Sequence, residues 1–152
     1  MSDIDAVIVR ELVADARTTL ARLAEATGLS VSAVQARVRR LEERGVIAGY
    51  HARVNPEAVG LPLSAFIEVS PLDPAHPDDI PEALASLTEI ESCHSVAGDA
   101  AYMLFIRVAG PSRLEELIRE IRQAAQVRTR TTVVLHSYFS RQPAVVQVRK
   151  SS

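Results

Sequence analysis

Apolar side chains recur at helical spacing through the first third of the chain, up to a break at Asn55-Pro56. The i, i+3, i+4 recurrence predicts three helices, over residues 3–14, 19–27 and 31–44. Ser2 with Asp5 forms a capping-box pattern at the start of the first helix. The third helix is expected to bury a stripe made of Val31, Val34, Val38 and Leu41. Residues 46–54 are predicted to be an extended segment or a short hairpin.

After the break, strand and helix patterns alternate. The predicted strands cover residues 63–69, 91–97, 102–108 and 127–135. One helix is predicted over residues 78–87 and a second from Pro111, and the prolines at 71, 74 and 77 predict a loop. The order β-α-β-β-α-β is that of the ferredoxin-like fold, so this part is predicted to be α+β. Its antiparallel sheet would carry both helices on one face, and a second subunit could cover the other.

Composition places the chain among ordinary globular proteins, with 47% hydrophobic and 24% charged residues over 152 positions. The net charge of −2, taken alone, argues against a nucleic-acid partner. The charge is unevenly spread, however. Residues 1–55 hold eight arginines against seven acids, whereas residues 56–152 carry a net charge of −3. The average therefore does not exclude a nucleic-acid partner for the first part of the chain.

Cysteine and histidine usage bears on compartment and metal binding. Cys93 is the single cysteine, so no intramolecular disulfide can form, and a reducing compartment is indicated. We expect Cys93 to be a buried structural thiol, with a redox sensor as the alternative. The four histidines are widely spaced, which predicts no metal site, and the sequence holds no recognisable catalytic constellation. With no apolar run near the roughly 20 residues of a membrane helix, and no signal-peptide pattern, a cytoplasmic protein is predicted.

The second and third predicted helices flank a turn at Gly28, with Ser30 as the cap of the third, which is the order of a helix-turn-helix. Small and polar side chains occupy the outward arc near the start of the third helix, where base edges are read. Arginines follow further along, where phosphate contacts are expected. The alternative is an arginine-rich face that is merely solvated. The predicted DNA-binding residues are Thr19, Ser30, Ser32, Ala33, Gln35, Ala36, Arg37, Arg39, Arg40 and Arg44.

A series of short motifs runs along the whole chain. In the first half they are Ile4-Asp5, Arg17, Leu23-Ala24, Gly28-Leu29-Ser30, Val34, Arg37-Val38, Arg40-Leu41-Glu42, Gly45-Val46-Ile47 and Gly49-Tyr50. In the second half they are Ala97-Gly98, Tyr102 and Thr131-Thr132-Val133-Val134-Leu135, after a hinge-like Asn55-Pro56 and Gly60. In this order, the motifs resemble the Lrp/AsnC, or feast/famine, family of bacterial and archaeal transcription regulators.

The resemblance implies a winged helix-turn-helix domain over residues 1–50, a hinge over 51–61, and a ligand-sensing domain over 62–152. The last is known as the regulation of amino acid metabolism (RAM) domain. Double-stranded DNA is the implied partner, and dimers formed through the sheet are implied to assemble to tetramers or octamers. An amino acid is the implied effector, with no other cofactor. The loop expected to bind it consists of Val96, Ala97, Gly98, Asp99, Ala100, Ala101 and Tyr102.

One position in this loop departs from the family pattern. Ala101 stands where family members often carry an acid that binds the effector's ammonium group, and Asp99 is the nearest acid. Asp99 is either an effector ligand or an exposed turn residue, and Tyr102 either lines the pocket or packs at an interface. Arg128 and Arg130 are either solvated or face acids of a neighbouring subunit.

The sequence thus predicts a sequence-specific DNA-binding transcription regulator, not an enzyme, whose C-terminal domain oligomerises and responds to an amino acid or a related small effector. Two alternatives stay open. An architectural DNA-binding protein without an effector would use the same helix-turn-helix. An enzyme or a metabolite-binding protein is the other alternative, because ferredoxin-like domains host many functions.

Overall fold

The computed structural model describes residues 1–73 and 79–140, which form two compact units. The first unit is built mainly from residues 1–53, and the second from residues 54–138. Helices make up the first unit, whereas an antiparallel sheet with two helices makes up the second. No helix in the described part of the chain is long and apolar enough to cross a membrane.

Three helices form the first unit, and local capping determines where each begins and ends. They are α1 (Asp3–Ala14), α2 (Leu20–Thr27) and α3 (Val31–Glu43). The predicted capping box is confirmed, because the Ser2 hydroxyl accepts from the Asp5 N–H at 3.2 Å and the Asp5 carboxylate accepts from the Ser2 N–H at 3.4 Å. Gly28 ends α2 in the left-handed conformation, with φ +70°. α2 begins one residue later than predicted because Thr19 is its cap, and α3 ends one residue earlier because Arg44 is its C-cap.

The core of the first unit comes from the inward stripes of all three helices. Its fully buried side chains include Ile8, Leu23 and Val34. Val38 is partly buried, but Val31, predicted to belong to the same stripe, is 47% exposed, so that part of the prediction is wrong. Val31 is the first residue of α3, and helical side chains lean toward the N-terminus. This side chain therefore projects past the end of the packed surface.

The segment after α3 forms no regular secondary structure. Residues 46–54, all of them described, contain no strand, so the hairpin alternative is wrong. The N–H groups of Val46 and Ile47 instead donate to the Leu41 carbonyl, at 2.9 and 3.1 Å. These N–H groups cap the last turn of α3 and are not available for pairing with a second strand. A short 3-10 helix, Glu57–Val59, follows within the predicted hinge.

The second unit has the predicted β-α-β-β-α-β order, which confirms the ferredoxin-like fold. Its strands are β1 (Leu63–Pro71), β2 (Ile90–Ser95), β3 (Tyr102–Val108) and β4 (Val127–Val133), and its helices are α4 (Ile80–Leu84) and α5 (Pro111–Ala125). The sheet order is β2-β3-β1-β4, and every neighbouring pair is antiparallel.

Two strands end earlier than predicted because their pairing stops. β2 ends at Ser95, since the Val96 N–H donates to the Ala101 carbonyl at 3.1 Å and closes a loop. β4 ends at Val133, which pairs with Ala65 near the start of β1.

β1 and the first helix of this unit also differ from the prediction. β1 extends to Pro71, predicted to lie in a loop, because this residue still pairs with Val127 at the start of β4. The helix predicted over residues 78–87 is shorter, because α4 ends at Leu84 and the Leu87 N–H donates to the Leu84 carbonyl in a turn. The predicted helix start at 78 and the loop prolines at 74 and 77 lie outside the described residues.

The two faces of the sheet differ. On one face, the two helices cover alternate residues of the central strands, such as Ile67 and Leu104, which are fully buried. On the other face, Phe66 is 44% exposed, and its ring centroid lies 5.1 Å from that of Phe105. The Arg107 guanidinium lies 5.4 Å from the Phe105 ring centroid. The face opposite the helices is therefore partly aromatic and open within this chain.

Cys93 is exposed, so the prediction of a buried thiol is wrong. It lies in the edge strand β2, opposite Leu104, which is fully buried. The helical layer therefore covers β3 at this level without extending over β2. Desolvation by neighbouring atoms still raises the pKa of the thiol, which disfavours the reactive thiolate.

Candidate DNA-binding surface and effector loop

The helix-turn-helix places two of the predicted contact residues at helix starts. Thr19 Oγ1 accepts from the Arg22 N–H at 3.2 Å, and Ser30 Oγ accepts from the Ala33 N–H at 3.2 Å. Ser30 Oγ also lies 3.2 Å from Ser32 Oγ. Both hydroxyls satisfy backbone donors that a helix start leaves unpaired, and both residues are exposed.

The outward face of α3 is open to solvent in this unit. Ala33 is half buried, and Arg40 Nε donates to the Ala36 carbonyl at 3.3 Å, which holds that side chain along the helix. The exposed members of the predicted set are Thr19, Ser30, Ser32, Gln35, Ala36, Arg39, Arg40 and Arg44.

Arg37 differs from the other predicted arginines because it has a partner within the unit. Its Nη1 donates to Asp5 Oδ1 at 2.9 Å, and the two side chains are only 29% and 14% exposed. Burial acts to raise the pKa of Asp5, but hydrogen bonds from Ser2 and Arg37 outweigh it, and the pKa lies below its usual value. The ion pair ties the start of α1 to the middle of α3. From sequence, Asp5 was assigned only to the capping box.

A small basic cleft adjoins this ion pair. Its volume is about 40 Å³, and it is lined by Asp5, Arg37, Arg40, Leu41 and Arg44. The three arginines follow i, i+3, i+7 spacing, so they lie on one side of α3. With one acid against three arginines, the cleft is suited to an anionic group.

Tyr50 ties the irregular segment to α3, and it was not predicted as a site residue. Its hydroxyl donates to Glu42 Oε1 at 2.9 Å. Burial and this hydrogen bond raise the pKa of Tyr50 above its usual value. The signal in the sequence was the motif Gly49-Tyr50, which gave no indication of the partner.

Backbone hydrogen bonds hold the loop between β2 and β3. The Val96 N–H donates to the Ala101 carbonyl at 3.1 Å, and the Ala101 N–H donates to the Val69 carbonyl in β1 at 3.0 Å. Six of the seven predicted effector residues, 96–101, line an open depression of about 460 Å³ beside this loop. The seventh, Tyr102, begins β3 and packs against the core of the unit.

Ser70 and Arg128 also line this depression, and neither was predicted as an effector contact. They pair directly across β1 and β4. With Asp99 and Ala100, they also line a smaller adjoining depression of about 190 Å³. The sequence leaves the role of Arg128 open because its neighbours depend on the strand register.

Asp99 and Arg128 place opposite charges on the same depression. Both are exposed, and neither takes part in an ion pair with another residue of the described ranges. Arg130, by contrast, lies 3.8 Å from Glu68. Asp99 lies in the bend of the loop, so its role as ligand or turn residue stays a prediction.

Within residues 1–73 and 79–140, no cluster of three or more His, Cys, Asp or Glu side chains could hold a metal ion.

Two family models match the chain. Residues 1–48 match a winged helix-turn-helix DNA-binding model, and residues 64–144 match the Lrp/AsnC ligand binding domain. Together with the fold, these matches define a transcription regulator that combines a helix-turn-helix with a ligand-binding domain.

Known relatives narrow this class further. The chain is 57% identical over 140 residues to the HTH-type transcriptional regulator LrpA of Mycobacterium tuberculosis, covering 92% of this chain and 93% of that protein. It is 36% identical over 151 residues to the leucine-responsive regulatory protein of Escherichia coli, covering 96% and 92%. The chain belongs to the Lrp/AsnC family of transcription regulators.

Solved structures agree with this assignment. The crystal structure of M. tuberculosis LrpA matches with a TM-score of 0.87 at 56% identity, covering 95% of this chain and 99% of that chain. A feast or famine regulatory protein from M. tuberculosis, complexed with L-methionine, matches with a TM-score of 0.91 at 57% identity, covering 94% and 98%.

Proposed function

We propose that this regulator binds specific DNA sequences through α3 and that its C-terminal unit oligomerises and responds to a free amino acid. The observation that carries the proposal is the exposed face of α3. It presents Ser32 and Gln35 near the start of the helix and arginines further toward its C-terminal end. A helix in the major groove reads base edges with its N-terminal residues and contacts phosphates with charges further along.

The residues of the helix-turn-helix divide by the chemistry they offer. Gln35 can form a bidentate pair with adenine, and small side chains beside it allow close approach. Base contacts are assigned to Ser32, Ala33, Gln35 and Ala36. Phosphate contacts are assigned to Thr19, Ser30, Arg39, Arg40 and Arg44. Arg37 is assigned chiefly to holding α3 against α1 through Asp5, although its guanidinium also lines the basic cleft.

The uncovered face of the sheet supports an assembly of several copies. A second copy laid on this face would remove the exposed Phe66 ring and its neighbour Phe105 from water. Two DNA-binding units would also roughly double the phosphate contacts of a first unit whose net charge is small. We infer a dimer on this basis, and further assembly to a tetramer or octamer remains a prediction.

The relative complexed with L-methionine supports an amino acid as the effector, and we assign its site to the loop of residues 96–101. An effector alters DNA binding only if it binds two assembly states with different affinities. Such a difference would change how several helix-turn-helix units reach successive major grooves.

The named relatives are transcription regulators, which favours a non-catalytic role in the cytoplasm.

The test combines selection of binding sites from random duplexes with gel-shift titrations, each repeated with every proteinogenic amino acid. We expect one sequence motif to be enriched and at least one amino acid to alter affinity or complex size. Equal binding to all duplexes, unaffected by any amino acid, would favour an architectural protein. Absence of duplex binding even at low salt would contradict the regulator.

A further inference from the structure

Tyr50 fastens the irregular segment after α3 to the last turn of that helix. Its hydroxyl donates to Glu42 Oε1 at 2.9 Å. Two backbone hydrogen bonds to the Leu41 carbonyl, from Val46 and Ile47, hold the segment beside the same turn. These neighbouring attachments keep the Tyr50 hydroxyl next to the Glu42 carboxylate. Because the pKa of Tyr50 is raised, the hydroxyl stays protonated and able to donate at neutral pH.

Glu42 lies on the same side of α3 as two residues of the candidate DNA-binding surface. Gln35, Arg39 and Glu42 follow i, i+4, i+7 spacing, which places them in one row along the helix. All three side chains are exposed. An acid in this row opposes DNA binding, because it repels phosphates and because it can neutralise a neighbouring arginine.

Arg39 is the arginine that Glu42 is placed to neutralise. Side chains three positions apart on a helix are neighbours, and opposite charges at this spacing attract each other. The pair is nevertheless absent, since Arg39 forms no ion pair within residues 1–73 and 79–140. Glu42 Oε1 instead accepts from Tyr50. The guanidinium of Arg39 is therefore left available for a phosphate.

We propose that Tyr50 is a positioning residue for DNA binding, whose hydroxyl holds the Glu42 carboxylate away from Arg39 and so keeps Arg39 available to a DNA phosphate. The inference rests on the proposed function, since it takes Arg39 as a phosphate contact, and it adds the residue that controls the charge around this contact. Tyr50 acts through Glu42 and need not touch the DNA. Loss of its hydroxyl would release Glu42 to pair with Arg39, in competition with the phosphate.

Glu43 is a second acid close to this row and provides a matched comparison. It is exposed, lies one position further along α3, and is four positions from Arg39. Among the described residues, no hydrogen bond joins its carboxylate to Tyr50. Removal of the charge on Glu43 should therefore raise DNA affinity without altering the effect of the Tyr50 hydroxyl.

The experiment is a double-mutant cycle on the full chain, with DNA affinity measured by gel shifts on one duplex taken from the site selection. Tyr50→Phe should weaken binding by about 2- to 5-fold at low salt, since an exposed ion pair at this spacing is weak. The loss should shrink at high salt, because exposed charges are then screened. In a Glu42→Gln background, Tyr50→Phe should leave affinity unchanged, because the neutral amide cannot form an ion pair with Arg39.

Two controls separate this effect from net charge and from loss of any tyrosine hydroxyl. In a Glu43→Gln background, Tyr50→Phe should still cause its full loss of affinity, because an equal charge has been removed from the adjacent position. Tyr138→Phe, which removes the hydroxyl of an 88% exposed tyrosine, should leave affinity unchanged.

Three results would overturn the positioning role of Tyr50. The first is an unchanged affinity in Tyr50→Phe. The second is an equal loss in the wild-type and Glu42→Gln backgrounds, which would assign the residue a purely structural role. The third is equal suppression of the loss by Glu43→Gln, which would reflect net charge.

Arg39→Ala, measured alongside, tests the phosphate contact on which the inference rests. If it weakens binding while Tyr50→Phe does not, the phosphate contact stands and only the role of Tyr50 is wrong. If Arg39→Ala leaves affinity unaltered, the phosphate assignment and the role of Tyr50 are both wrong.

Discussion

Arg37 reaches from α3 to α1 and donates through Nη1 to Asp5 Oδ1 at 2.9 Å. The same carboxylate accepts from the Ser2 N–H, so one side chain caps α1 and fixes α3 against it. The rotation of α3 about its own axis decides which residues face outward. This ion pair therefore helps to determine which side chains of α3 belong to the candidate DNA-binding surface.

Asp5→Asn should destabilise the first unit by about 1 kcal/mol at neutral pH, because it removes the acceptor of a partly buried, charge-assisted hydrogen bond from Arg37. It should also weaken DNA binding, since α3 is held less firmly. Urea unfolding and gel shifts would measure the two effects. Asp3→Asn, an exposed acid in the same helical turn, is the control and should change neither quantity appreciably.

The contribution of Asp5 should depend on pH in a defined direction. Its pKa is lowered on folding, so the stabilisation is complete above the unfolded value and is lost as the pH falls through the folded value. The difference in unfolding free energy between wild type and Asp5→Asn should therefore shrink below the ordinary pKa of 3.8. A difference that stays constant to the lowest pH at which the fold persists would count against the ion pair.

Replacement of both Arg39 and Arg40 by alanine should reduce DNA affinity by about 10- to 100-fold at moderate salt. The salt slope should fall by about 0.9 for each phosphate that the variant no longer neutralises. Assembly, measured by light scattering, should be unchanged. The matched control, Arg10→Ala with Arg119→Ala, removes the same charge from exposed positions elsewhere. If both double variants lose the same amount of DNA affinity, the loss would reflect net charge and not phosphate contacts made by Arg39 and Arg40.

Gln35→Ala should relax specificity at one base pair and leave the others unaffected. A bidentate contact to a base contributes about 1–3 kcal/mol of discrimination, which disappears when the amide is removed. Site selection with the variant should therefore show one degenerate position inside an otherwise unchanged motif. A uniformly weakened motif would instead place Gln35 among the phosphate contacts.

Phe66→Asp should dissociate the assembly, because it introduces a charge on the open aromatic face of the sheet. The fold of the unit should persist, since Phe66 lies on the opposite face from the helices. Light scattering measures the mass, and circular dichroism checks the fold. Leu72→Asp, at a 58% exposed position just after β1, should keep the wild-type mass. Retention of that mass in Phe66→Asp would rule out assembly through this face.

The limits of α1, α2 and α3 could be predicted to within one residue because capping depends on side chains a few positions apart. The errors arise where contacts between residues far apart in the sequence determine the local structure or the exposure of a side chain. The irregular segment after α3 is set by the Leu41 carbonyl, and the exposure of Cys93 is set by its place in an edge strand. The position of Arg128 opposite Ser70 depends on strand register, which no local pattern reveals.

Two backbone hydrogen bonds, from Val96 to Ala101 and from Ala101 to Val69, fix the course of the loop proposed to bind the effector. Its backbone course is maintained by the sheet itself, so a ligand need not supply the roughly 1–2 kcal/mol per residue that ordering a loop requires. Chemical selectivity can then change by exchange of single side chains, while the scaffold stays constant. A family of sensors built in this way can diverge toward different metabolites without altering how each member folds.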